Sequence, residues 1–109
     1  MKKYKTNITD EALLDMESIY DYIADSLHSP DNAMGQYNRI AEAILKLKSF
    51  PKRFPLFDFE PERSLGMRKM IVDNYLVCFI VDEDNAVVTV TDVLYGASNI
   101  KGRLADRHS

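Results

Sequence analysis

Between residues 10 and 49 the apolar side chains recur at helical spacing. Ala12, Met16, Ile19, Ile23 and Leu27 fall at steps of four, three, four and four, which predicts an amphipathic helix over about residues 10–27. Leu13, Tyr20 and Ala24 widen its stripe. Thr9 stands where an N-cap would, and Asp10 and Glu11 occupy the first turn, where carboxylates suit the helix dipole. Ser29-Pro30-Asp31 is a second start signal, with Ser29 as cap and Pro30 at the first helical position. Behind it Ala33, Tyr37, Ile40, Ile44 and Leu47 repeat by four, three, four and three, predicting a helix over about residues 30–49. About two residues separate the helices, so an antiparallel hairpin is expected. His28 reads as a contact at the end of the first helix rather than as a catalytic group.

The period then changes. Lys3 to Ile8 alternates weakly and predicts a short opening strand. Residues 50–66 hold three prolines, Pro51, Pro55 and Pro61, among Phe50, Phe54, Leu56, Phe57 and Phe59, and predict an irregular segment docked by its aromatics. Met67 to Val72 reads as a strand that ends at Asp73-Asn74, a pair that tolerates the positive φ of a tight hairpin. Tyr75 to Val81 is almost continuously apolar, as a central strand covered on both faces would be. Val87 to Tyr95 is rich in β-branched residues and reads as a third strand after the charged turn Asp82-Glu83-Asp84-Asn85. Cys78 falls inside the central strand as a small core residue. The tail after Gly96 predicts one helical turn or a frayed end. The expected fold is α+β in the order β-α-α-β-β-β, with an antiparallel sheet carrying both helices on one face. The other face is expected to stay partly open as a binding surface.

Length and composition fit one domain over residues 1–109. Hydrophobic residues make up 46% and charged residues 28%, which excludes a disordered chain. With a single cysteine there is no internal disulfide and no thiolate zinc site, and no run is apolar and long enough to span a membrane. A soluble, cytoplasmic domain is expected. Net charge is −3, which argues against a dedicated nucleic-acid binder. The distribution is uneven. Residues 6–38 carry seven acids and no Lys or Arg, whereas residues 39–72 carry eight bases against four acids. That asymmetry suits either two solvated faces or one face made for an anionic partner.

Motifs for chemistry are sparse. His28 and His108 lie far apart, so no metal site is expected, and no phosphate-binding glycine loop, dinucleotide fingerprint or serine-nucleophile motif occurs. What remains is Arg68, on a strand beside Lys69. A guanidinium held on a sheet face can clamp phosphate or carboxylate through its forked donors, or can form a structural ion pair, for example with Asp92.

Taken together, ITDEALLDMESIYDYIADSL, then SPDNA, then AILKLKSFPKRFP, then ERSLGMRKMIVDNYLVCFIVDEDNAVVTV and the closing VLYG resemble the RelE/ParE superfamily of bacterial type II toxin–antitoxin toxins. The resemblance spans nearly the whole chain and implies the β-α-α-β-β-β fold, no cofactor, and a cognate antitoxin that wraps and blocks the toxin. RelE-like members cleave mRNA in the ribosome and ParE-like members poison DNA gyrase. Carried over residue by residue, a RelE-like site would comprise Arg68, Lys52, Arg53 and Tyr95. Antitoxin or target binding would fall on Lys46, Lys48, Lys52, Arg53, Arg63, Arg68 and Asp92. Self-association as a homodimer stays open, and no membrane partner is implied. Two departures bear on activity. Gly96-Ala97-Ser98-Asn99 stands where many relatives have a basic pair, and Asp92 stands where relatives often have a base. If Asp92 pairs with Arg68, the clamp is neutralised. The reading is therefore a ParE-like toxin that binds its target, with a RelE-like ribosome-dependent endonuclease and an inactive antitoxin-binding homologue as alternatives.

Overall fold

The computed structural model describes residues 2–108. The elements run β1 (Lys5–Ile8), α1 (Asp10–Asp21), α2 (Pro30–Leu45), β2 (Met67–Val72), β3 (Tyr75–Asp82), β4 (Val87–Tyr95) and α3 (Ile100–His108). The sheet order is β1-β4-β3-β2. β2, β3 and β4 form an antiparallel meander, and β1 joins the edge of β4 in parallel, with Lys5 opposite Val87 and Ile8 opposite Val90. This is the α+β arrangement anticipated from the sequence, with one parallel strand added at its edge.

The Thr9 hydroxyl caps α1, accepting from the Ala12 amide at 3.2 Å. The helix is regular to Asp21 and then widens into a π-helical turn over Tyr22–Ser26, so the long helix expected to residue 27 is an α-helix finished by one wide turn. His28 closes it at φ 52°, while the Ser29 amide reaches back to the Ile23 carbonyl at 3.1 Å. Ser29 makes no side-chain cap, contrary to expectation, its backbone at φ −136° and ψ 71° lying off the extended conformation usual for a cap; Pro30 marks the start of α2.

Both helices bury their stripes on one face of the sheet. Ala12, Met16, Ile40 and Ile44 pack against Met70, Val77, Phe79, Val88, Val90 and Val93. Ile19 and Tyr37 lie at the margin of that core, and Ile23 is only half-buried. Phe79 belongs to this face, whereas Ile80 points to the opposite one.

The opposite face is not open. Phe57 from the proline-rich segment and Leu104 from α3 cover it, packing on Met67, Leu76, Cys78 and Leu94, with Phe59, Ile80 and Ile100 at the rim. The tail, expected to add one helical turn or to fray, is a nine-residue helix. Its start is capped by the Asn99 side chain, which accepts from the Gly102 amide at 3.2 Å. Cys78 is fully buried between the layers, and burial pushes its thiol pKa up, in keeping with a core role.

β4 carries a bulge opposite the Cys78/Phe79 step, where Cys78 pairs with Asp92 and Phe79 with Val90, leaving Thr91 over. Val88, Val90 and Val93 therefore face the helices, while Asp92 and Leu94 face α3. Where β1 ends, Asp15 continues the edge, its Oδ2 accepting from the Val93 amide at 2.9 Å. Among the described residues no helix is long and apolar enough to cross a membrane.

Candidate functional site

Of the basic residues singled out in the sequence, Lys52, Arg53 and Arg68 gather toward the end of the sheet where β1, the β3–β4 turn and the proline-rich segment meet. Leu47, fully buried, anchors a 3-10 turn over Lys46–Lys48, which leaves Lys46 and Lys48 exposed. After it the chain turns at Phe50 with φ 50° and ψ 49°, the left-handed region that non-glycine residues seldom adopt. Pro51, buried, starts the next 3-10 turn over Pro51–Arg53.

Glu83 organises the floor of this region. Its carboxylate accepts from the Tyr4 hydroxyl at 2.7 Å and pairs with Lys2 at 3.0 Å and Lys52 at 3.1 Å. These three donors hold the Glu83 pKa down at about 2. Arg53 folds back on its own loop. Its guanidinium donates to the carbonyls of Ser49 and Phe50 and lies 4.5 Å from the Phe54 ring centroid. A shallow cavity of about 360 Å³ is left between Lys2, Tyr4, Phe50, Pro51, Lys52 and Arg53.

Arg68 is committed as well. Its Nη1 donates to the Phe54 carbonyl at 2.7 Å and to the Lys52 carbonyl at 3.4 Å, tying the proline-rich segment to β2. Arg63 likewise donates to the Phe57 carbonyl at 3.2 Å. The expected Arg68–Asp92 pair does not form. Arg68 stands opposite Phe79 and Asp92 opposite Cys78, and adjacent positions of β3 face opposite sides of the sheet. Asp92 is fully buried under α3, so it is no part of a binding surface. Its carboxylate accepts from Arg107 at 3.0 Å and from the Thr91 hydroxyl at 2.7 Å, and it meets the His108 Nε2 at 3.0 Å. Arg107 also bridges to Asp15 on α1.

Tyr95 is separated from the other residues of the expected catalytic set. It pairs with Tyr75, four residues along β3 from the partner of Arg68, or about 13 Å at the usual strand rise. There it borders a second cleft of about 680 Å³ with Tyr22, Tyr75, Leu27 and Arg103. The structure thus brings Lys52, Arg53 and Arg68 together and leaves Tyr95 apart. The sequence reading missed Glu83, Tyr4 and Phe50 at the first cleft and Tyr22 and Arg103 at the second. For α3, the signal was present in Asn99 as a cap followed by Ile100 and Leu104 at i, i+4.

A family model for the ParE toxin of the type II toxin–antitoxin system parDE matches residues 7–100. No curated protein sequence matches the chain. Among solved structures, the fold is similar to the chromosomal ParDE system of Pseudomonas aeruginosa, with TM-score 0.70 and 19% identity over 85% of this chain and 96% of that one. A RelBE toxin–antitoxin complex from Mycobacterium tuberculosis follows with TM-score 0.62 and 16% identity, covering 85% and 98%. The isolated RelE toxin of Escherichia coli is similar at TM-score 0.57 and 13% identity over 97% and 99%. The likeness to all three is one of fold, and the family model covers most of the chain: it belongs to the ParE toxin family of type II toxin–antitoxin systems.

Proposed function

We propose that this toxin acts in the cytoplasm by binding a cellular protein, with DNA gyrase as the target that its family suggests, and that a cognate antitoxin blocks it. The observation that carries this reading is the separation of Tyr95 from the cations. Metal-free RNA cleavage needs a base for the 2′-hydroxyl, stabilisation of the phosphorane and a donor to the leaving group. Lys52 is paired with Glu83, Nη1 of Arg53 and of Arg68 donates to backbone carbonyls, and Tyr95 stands at the other end of the sheet. A phosphate held by these cations would lie about 13 Å from Tyr95, too far for its hydroxyl to pass a proton.

The test is inducible expression with and without the product of the neighbouring antitoxin reading frame. Plasmid topology and mRNA integrity are followed separately. Growth arrest with altered supercoiling, intact mRNA and rescue by the antitoxin is expected. Early mRNA fragmentation before any topological change would instead point to the endonuclease, and absence of arrest to an inactive homologue.

A further inference from the structure

We propose that the outer edge of β4 between Val93 and Tyr95 docks an extended protein segment in which an apolar residue stands beside an acidic one. The site is defined by this edge and its two walls alone, whatever cellular protein the toxin inhibits.

The outer edge of β4 is covered step by step as far as the Val93 amide. β1 pairs with Val87 to Val90. The Thr9 amide then donates to the Val90 carbonyl at 3.0 Å, and the Thr9 hydroxyl to the Thr91 carbonyl at 3.3 Å. Asp15 accepts from the Val93 amide at 2.9 Å. There the cover stops. The Gly96 amide donates to the Asn74 carbonyl at 2.8 Å, toward β3, so by alternation the Tyr95 amide points away from β3, as that of Val93 does. The Val93 carbonyl and the Tyr95 amide have no partner among the described residues. An unpaired acceptor and donor flanking one residue of a strand edge are the groups that an added strand takes up. That pair is what makes the occupant a polypeptide.

The edge forms the floor of the 680 Å³ cleft, and its walls set the side chains that fit. On the side of the helical hairpin stand Tyr75 and Tyr95, with Tyr22 and Leu27 from the wide turn that ends α1. Tyr22, Leu27 and Tyr95 are each more than half exposed. On the other side α3 presents Arg103, which is exposed and makes no ion pair among the described residues. Arg107, the second cation of the cleft, is held by Asp15 and Asp92. Successive side chains of an extended chain point to opposite faces. A segment along Val93–Tyr95 therefore sends one side chain to the tyrosines and Leu27 and the next to the Arg103 guanidinium, which calls for a carboxylate.

The test titrates the isotope-labelled full chain with a capped synthetic peptide, TTLETT, and follows the Tyr95 amide by NMR. Binding should shift that amide and slow its hydrogen exchange. A TTLKTT peptide should bind several-fold more weakly, and Arg103→Glu, with an unchanged melting temperature, should reverse that ranking. A TTLETT peptide N-methylated at both central residues should bind about fivefold more weakly or worse, as loss of a backbone hydrogen bond requires. No change at the Tyr95 amide with millimolar peptide would overturn the proposal. So would equal binding of the N-methylated peptide, or the parental ranking in Arg103→Glu. Benzoate or a six-nucleotide single strand acting on the Tyr95 amide at lower concentration than TTLETT would also overturn it, and would make the cleft a small-molecule or nucleic-acid site.

Discussion

Asp92 and Arg107 form an ion pair at 3.0 Å in which the carboxylate is fully buried and the guanidinium about a quarter exposed. The pair ties the last turn of α3 to β4, and through Asp15 to α1, so one arginine joins both faces of the sheet. Removing a single partner strands a buried charge, whereas replacing both with apolar groups of similar size costs little. Arg107→Ala is therefore expected to lower stability by about 2–4 kcal/mol. An Asp92→Leu/Arg107→Leu double variant should lose much less than the sum of the single changes. Urea unfolding of the parent, Asp92→Leu, Arg107→Leu and the double variant, taken as a mutant cycle, checks this.

Beside that pair, α3 buries one side chain fully among the described residues, Leu104. Leu104→Ala should cost about 2–5 kcal/mol if α3 unfolds with the whole domain, as core truncations do. A smaller global loss with fast amide exchange confined to residues 100–108 would show that the helix opens on its own.

These two features show where sequence reading succeeds and fails. The stripes of α1 and α2 were legible because many apolar residues repeat at one period. The continuous apolar run of β3 already said that the strand is covered on both faces, and the expectation of an open face overlooked it. The full length of α3 escaped notice because its apolar signal is only Ile100 and Leu104, within a polar tail. The face of Asp92 was not legible at all. Strict alternation through Val88, Val90 and Asp92 would place the acid among the helices, and only the unpaired Thr91 turns it the other way. Charge counting found the basic segment but could not tell the cations engaged by Glu83 and backbone carbonyls from those, such as Lys46 and Lys48, that have no such partner among the described residues.

Glu83 makes an acid-sensitive contact. Its pKa falls from 4.5 to about 2 on folding, owing to Tyr4, Lys2 and Lys52. A depressed carboxylate stabilises the folded state above its unfolded pKa, and that contribution disappears as pH falls from about 4.5 toward 2. The stability difference between the parent and Glu83→Gln should therefore shrink over that window. It should also shrink with added salt, since the site is exposed. Thermal melts across the pH series measure it.

Gly66 lies at φ 79°, and a β-carbon there would meet nothing within 4 Å. Gly66→Ala should then cost about 1 kcal/mol through the backbone alone. A larger loss in chemical denaturation would mean that the turn before β2 must rearrange.

The central claim, a toxin that binds rather than cleaves, is tested most directly with purified protein on translating ribosomes programmed with a defined mRNA, run beside a DNA gyrase supercoiling assay. The account predicts intact mRNA at every toxin concentration and inhibition of gyrase that antitoxin reverses. Arg68→Ala, folded at the assay temperature, should leave that inhibition in place, because Arg68 serves the Phe54 carbonyl. Ribosome-dependent cleavage by the parent, abolished in Arg68→Ala, would contradict the account.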